Sequence, residues 1–446
     1  MLERFFQLKA NGTTPSREAI GGVTTFAAMA YILAVNPAIL KDAGMEQAAL
    51  VTATALAAAA GTALMALMTN YPIAQAPGMG LNVFFTYEIC LRMGVPWQGA
   101  LGMVFWNGVL FLILTMTGLR TQVVKAIPEA LKIGIQVGIG LFIALVGLQN
   151  CGLVVADKAT ILRLGPLSDG WMPNSATLAA IGLLLMAVLI IKKVPGAILI
   201  GIVAVSLIGI ITPGTGDGAS RITQLPGRWI DLPTSLEPLL LKVDWLYPFT
   251  HWQLAWVPVV TLMFVDMFDS IGTLLGVSRR AGLVDKQGDL PGIGKALAAD
   301  AAATSIGAML GTSPVTSYVE SATGIEAGAR TGLASLVTAL CFLVALFFYP
   351  LILSVPAAAT APALVWVGIM MLSGLEAFDW SDMRRSVPAL ITMMVIPFGF
   401  GIANGIALGC ISYCVIMVMT GEFRQVHRIM YGLVILFVLK IIFVGT

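Results

Sequence analysis

The chain has 446 residues, 58% of them hydrophobic and only 11% charged, against roughly 25% charged residues in a soluble domain. This excludes an ordinary water-soluble globule and leaves a polytopic helical membrane protein. A net charge of +2 is too small for a polyanionic partner, so no nucleic acid is expected. Two histidines, and five cysteines without zinc-type spacing, offer no metal or redox centre and no cofactor.

In chain order, Met1 to Ser16 is mixed and broken by Glu3, Arg4 and Lys9. It lacks the apolar core and cleavage site of a signal peptide and is expected on the cytoplasmic surface. Apolar runs between polar punctuation then predict spans at about 19–40, 48–69, 74–93, 97–119, 130–153, 176–192, 195–212, 251–276, 295–311, 313–329, 331–354, 358–375, 388–402 and 404–419. A last run, Ile429 to Val444 with Lys440 inside it, reads either as a short fifteenth span or as an interfacial helix. With the N-terminus inside, 17 Lys and Arg fall on the cytoplasmic side and 7 outside, Lys440 being unassigned, the bias that orients membrane proteins. Arg120, Lys125 and Lys286 belong to the inner set. The polar stretch Pro213 to Thr250 is then an external loop between two sets of seven spans.

An odd number per half inverts the second half relative to the first, a transporter design with the site between the repeats. Ala76-Pro77-Gly78-Met79-Gly80-Leu81-Asn82-Val83-Phe84-Phe85 interrupts the third span, and Gly311-Thr312-Ser313-Pro314-Val315-Thr316-Ser317-Tyr318-Val319-Glu320 interrupts the tenth. Each predicts extended chain followed by a half-helix, and irregular backbone at membrane depth is tolerated only in protein or beside a cavity. The breaks are expected to face each other around the substrate; the plainer alternative is a pair of kinks in packed helices.

Ionisable side chains within spans are functional candidates. Asp266 and Asp269 are three residues apart on one helix face, where two carboxylates in low dielectric do not both ionise cheaply, so at least one is suited to carrying a proton. The bland reading is a pair of acids in a hydrated vestibule. Glu320 opens the second half-helix, where free N–H groups favour an anion; it reads either as an acceptor for a ligand or as a simple N-cap, a role Glu fills poorly. Asn82, in the first break, either holds its turn or meets the ligand. Phe84, Phe85 and Tyr318 offer faces for a flat ligand or ordinary packing. Asp300, among small residues, suits structural support, and Glu88 lies either near the site or near the aqueous end of its span. Carboxylates, an amide and strand edges with almost no basic residue suit a small neutral ligand rich in N–H donors. Proton coupling would follow from the acids; Na⁺, the less favoured ion, would need oxygens from Asp266, Asp269, Thr273 and backbone carbonyls.

Thr24-Thr25-Phe26-Ala27-Ala28-Met29-Ala30-Tyr31-Ile32 with Val35-Asn36-Pro37, Ala76 to Asn82, Asp266-Met267-Phe268-Asp269-Ser270-Ile271-Gly272-Thr273, and Gly311-Thr312-Ser313 with Thr316 to Ser321 and Gly324 together resemble the AzgA-like branch of the nucleobase/cation symporters, over essentially the whole chain. The resemblance implies an all-α fold of fourteen spans in two inverted sevens. A core domain (19–119 and 251–354, spans 1–4 and 8–11) would move against a gate domain (120–212 and 355–428, spans 5–7 and 12–14). Residues 1–18, the loop 213–250 and the hydrophobic segment 429–446 flank them.

The resemblance also implies import of adenine, hypoxanthine or guanine with protons across the inner (plasma) membrane, not enzymatic catalysis. Asn82, Val83, Phe84, Asp269, Tyr318, Val319 and Glu320 would bind the base. Asp266, Asp269 and Glu320 would couple protons, and Thr25, Thr273, Asp300 and Ser321 would support them. In the related uracil and xanthine branch a polar or ionisable residue often stands at Thr273 and an Asn at Ser321, departures that point to the adenine/hypoxanthine/guanine branch. The competing reading is an anion transporter or channel of the sulfate-permease type, which would offer a basic or uncharged site. Smooth Gly/aliphatic faces at Gly134 to Gly140 and Gly368 to Met371 are expected to slide against the core and to make a homodimer contact through the gate.

Overall fold

In hydrocarbon every backbone N–H and C=O needs an internal partner, so uncharged runs of Ala, Leu, Ile, Val and Gly become helices. The computed structural model describes residues 2–118, 126–169, 172–214, 221–284 and 290–443. Arg120, Lys125, Lys286 and Val444 lie outside the described residues. Among the described residues eight helical segments are long and apolar enough to cross a bilayer: Pro15–Ala43, Gln47–Thr69, Trp97–Met116, Glu129–Asn150, Trp252–Arg279, Gly332–Leu353, Ala357–Ala377 and Ile402–Met419. The other expected runs form shorter or less apolar helices, such as Ser175–Ile191, Ala197–Ile211, Ile293–Leu310 and Met383–Phe398, or the two breaks. The last run is a helix, Arg428–Phe443, that packs along Ile402–Met419 and Trp252–Ala281 and buries Met430 and Phe437.

The first span is not one helix. Pro15–Met29 starts behind Thr14, whose side chain accepts from Arg17 N–H, and ends at Ala30; Ile32–Leu40 begins after Tyr31. The interruption places Tyr31, 1% exposed, at mid-span. The Gly332–Leu353 segment changes to a 3₁₀ turn at Leu346–Phe348 ahead of Pro350, whose ring cannot continue an interior helix.

Two packing groups are apparent. Ile293–Leu310 lies against Trp97–Met116 and Gln47–Thr69, and Gly332–Ala345 lies against Gln47–Thr69 and Pro15–Met29. In the second group Glu129–Asn150 lies against Ala357–Met371 and Met383–Phe398, with Ser175–Ile191 and Ala197–Ile211 on Ala357–Met371 and Ile402–Met419 on Met383–Phe398. Trp252–Ala281 touches both groups.

The glycine faces expected to slide between groups are instead used inside the second one. A Cβ on Gly140 would stand 2.7 Å from the Gly368 carbonyl, one on Gly368 2.4 Å from the Gly140 carbonyl, and one on Gly134 2.8 Å from the Ala389 carbonyl. The small residues let these backbones touch each other. At the boundary between groups the close approach is Gly80, whose Cβ would meet Ile139 at 2.8 Å.

Candidate functional site

Both Gly/Pro interruptions become short strands, Gln75–Pro77 and Val315–Ser317, and they pair antiparallel: Gln75 opposite Ser317, Ala76 opposite Thr316, Pro77 opposite Val315. Pro77 supplies no N–H, and a two-stranded ladder this short leaves polar groups that must be satisfied elsewhere. Gly78 N–H donates to Pro314 C=O at 2.9 Å and Tyr318 N–H to Ala74 C=O at 3.0 Å. Thr62 Oγ1 donates to Gln75 C=O and accepts from Gln75 N–H, each at 2.9 Å. Thr304 Oγ1 lies 2.8 Å from Val315 C=O, Tyr318 donates its hydroxyl to Pro77 C=O at 2.6 Å, and Ala74 N–H donates to Ser321 Oγ at 3.0 Å. By satisfying these groups, the hydroxyls that line the crossing let extended chain exist at membrane depth.

After each strand the chain turns into a half-helix. The first, Met79–Val83, runs on as a π-helix over Phe84–Arg92. The second, Ser321–Glu326, packs on the first span so tightly that a Cβ on Gly324 would stand 2.0 Å from Thr25 Oγ1 and 2.4 Å from the Gly21 carbonyl. Glu320 occupies the N-cap position, but its side chain makes no capping bond. It accepts instead from the Tyr31 hydroxyl at 2.5 Å, so the simple-cap reading does not describe it.

Asp300 is fully buried and accepts from Gln75 Nε2 at 2.8 Å, from Ser317 Oγ at 2.9 Å and from Ser270 Oγ. It thus ties both strands to the Trp252–Ala281 helix. On that helix the two acids diverge. At 3.6 residues per turn a separation of three leaves about 60° between side chains. Asp269 is exposed, within hydrogen-bonding reach of Thr316 and near Glu320; Asp266 is 0% exposed and takes Asn107 Nδ2 at 3.1 Å and Thr304 Oγ1 at 3.2 Å. Beyond Asp269 the same face stays open, since a Cβ at Gly272 or Gly276 would meet nothing within 4 Å, and Thr273 beside them is half-buried.

The structure thus brings Asp269, Tyr318 and Glu320 together around the strand crossing, with Val319 48% exposed, Ser321 opening the second half-helix and Thr25 packed behind it. Asn82, Val83 and Phe84 are all buried; Asn82 Oδ1 accepts from Ser313 Oγ and so links one break to the other. Glu88 is distant in role, accepting from Ile402 N–H at 2.6 Å, while Arg92 donates to Phe400 C=O at 2.9 Å. The two tie the third span to the Met383–Phe398/Ile402–Met419 corner. Sequence reasoning missed Tyr31, Gln75, Asn107, Ser270, Thr304 and Ser317. Gln75 precedes a motif already singled out and Tyr31 lies within one. Asn107, a lone amide in an apolar span, was itself a signal.

The permease family profile matches residues 16–440. Adenine permease AdeP of Escherichia coli (strain K12) is 41% identical over 446 residues, covering 100% of this chain and 97% of the relative. Guanine/hypoxanthine permease PbuG of Bacillus subtilis (strain 168) is 41% identical over 458 residues, covering 99% and 100%. Among solved structures, the transmembrane domain of a cyanobacterium bicarbonate transporter, BicA, aligns with TM-score 0.65 at 16% identity over 88% of this chain and 97% of that one. The murine SLC26A9 anion transporter in its inward-facing state aligns with TM-score 0.60 at 12% identity over 91% and 68%. At such identities the likeness shows the fold alone, an inverted-repeat transporter architecture.

Proposed function

The chain belongs to the permease family, and from that premise we propose that it is a secondary active importer of purine nucleobases, adenine, hypoxanthine or guanine, driven by proton symport. The observation that carries the reading is the pairing of Asp269 and Glu320 beside the crossed strands, amid hydroxyl, amide and aromatic side chains. A neutral purine presents ring and exocyclic N–H donors with a flat face. A carboxylate accepting from such a donor in a dry site contributes a charge-assisted bond, roughly 1.5–3 kcal/mol. Glu320 keeps one oxygen on Tyr31 and has the other for the base; Asp269, at the head of the open face, is the group through which a proton enters and leaves.

In the proposed cycle the base binds at the crossing, neutralisation of Asp269 lets the loaded site move without carrying a bare charge through hydrocarbon, and release follows the Gly272–Gly276 face. The first packing group with Trp252–Ala281 serves as the core and the second as the gate; we place the homodimer contact on the gate. The relatives named as adenine and guanine/hypoxanthine permeases support the substrate class. The anion-transporter reading shares only the fold, and two acids at the crossing would repel its cargo. Competition of radiolabelled adenine binding by hypoxanthine, guanine, uracil and sulfate tests the proposal: purines should compete and sulfate should not, whereas sulfate competition without purine competition would reverse it.

A further inference from the structure

We propose that Asp266 is not the coupling acid but holds a fixed proton in a closed acid–amide pair with Asn107, and that this pair positions the second strand from behind. Asn107 Nδ2 donates to Asp266 Oδ2 at 3.1 Å. The remaining oxygens of the same two side chains, Asp266 Oδ1 and Asn107 Oδ1, are both buried and both without a hydrogen-bond partner among the described residues. Two buried acceptors on hydrogen-bonded side chains, both with nothing to accept, are what an ionised carboxylate would leave, and an unpaired buried polar group is costly. One proton on Asp266 Oδ1 cures both defects: Asp266 donates to Asn107 Oδ1 while Asn107 donates to Asp266 Oδ2, closing a ring of two hydrogen bonds.

The surroundings favour the neutral acid. Among the described residues no ion pair reaches Asp266. The charged groups that it senses are Asp300, from the Ile293–Leu310 helix, and Asp269, on its own helix; Asn107 from Trp97–Met116 and Thr304 from Ile293–Leu310 are uncharged. Asp300, with three donors, is furnished to be an anion, and a second negative charge beside it would be repelled. Thr304 carries the connection onward. Its single proton serves Val315 C=O, at 2.8 Å, better than Asp266 Oδ2, at 3.2 Å, so the pair abuts the residue that fixes the strand's first carbonyl. Asp266 is also 0% exposed, whereas a transported proton needs a path to water; Asp269 is exposed at the head of the open face.

The inference rests on the coupled-carrier reading for its uptake measurement only. Infrared spectra of the purified full-length protein should show the carbonyl stretch of a protonated carboxyl group that persists as the pH is raised across the neutral range, vanishes in Asp266→Asn and shifts in Asn107→Leu. In proteoliposomes, Asp266→Asn should still accumulate adenine within about threefold of the unmodified protein and with the same pH profile, because an amide–amide pair closes the same ring. The exchanged pair, Asp266→Asn with Asn107→Asp, rebuilds the ring with the acid on the other helix; it should recover what Asn107→Leu loses and covers the case in which a single variant fails to fold. An Asp266 band that titrates near neutrality would overturn the proposal, as would an Asp266→Asn protein that exchanges adenine but no longer accumulates it. The infrared measurement needs no substrate, so its failure is distinguishable from failure of the nucleobase reading.

Discussion

Replacing Glu320 by Gln perturbs the site by one atom and one charge. In the structure Oε1 accepts from the Tyr31 hydroxyl at 2.5 Å, and a Gln amide oxygen can take over that bond without moving the side chain. The second position then turns from acceptor to donor and confronts the N–H of the base with another N–H. The loss is a charge-assisted hydrogen bond, roughly 1.5–3 kcal/mol, which at 1.4 kcal/mol per decade is about a tenfold to hundredfold rise in Kd. Tyr31→Phe is the companion variant: it removes only the bond that holds Glu320 in place, about 0.5–1.5 kcal/mol, and so should weaken binding about twofold to tenfold. Calorimetric titration of the purified proteins with adenine, hypoxanthine and guanine reads both. Unchanged affinity in a correctly folded Glu320→Gln protein would remove this carboxylate from the site, whatever Tyr31→Phe does.

Asp269→Asn should abolish accumulation of adenine against a gradient while leaving adenine-for-adenine exchange measurable, because it removes the acid to which the proposed cycle assigns the proton; accumulation that survives in liposomes with a fixed pH difference would place coupling elsewhere. Gly276→Phe should fill the face where a Cβ meets nothing within 4 Å, slowing initial uptake with little change in thermal stability, whereas unchanged uptake would mean that the substrate leaves by another route. Gly324→Ala should destabilise the protein by about 1–3 kcal/mol through overpacking, since its Cβ would be driven into Thr25 Oγ1 and the Gly21 carbonyl; a thermal midpoint within a degree or two of the parent would show that the half-helix has room to shift.

The parts of this architecture legible in the sequence were those written in local chemistry. Pro77 with Gly78, and Gly311 with Pro314, forbid continuous helix, so the breaks could be placed to within a few residues, and their matching positions in the two halves foretold that they would meet. The strand register, Gln75 on Ser317, depends on contacts across more than two hundred residues and had no local signal. Helical spacing put Asp266 and Asp269 on one face. A residual rotation of about 60° was enough to turn one acid to an open surface and the other into a packed seam, and only the position of Asn107, on a different helix, decides which is which. The glycines of Gly134 to Gly140 were correctly seen as a surface for close approach, but composition does not say which helix approaches. The break at Tyr31 was hidden for another reason: Met29, Ala30 and Tyr31 carry no breaker, and the partner of Tyr31 there, Glu320, is 289 residues away along the chain.

Whether the crossed-strand site carries a purine together with a proton is decided by reconstituting the protein into liposomes with an imposed inward proton gradient and following uptake of radiolabelled adenine alongside lumenal pH. Proton-coupled purine import requires saturable accumulation that collapses with the gradient, acidifies the lumen in step with adenine entry, and is competed by hypoxanthine or guanine but not by bicarbonate or sulfate. Adenine entry that is indifferent to the gradient, or gradient-driven entry of bicarbonate with no adenine transport, would be incompatible with it.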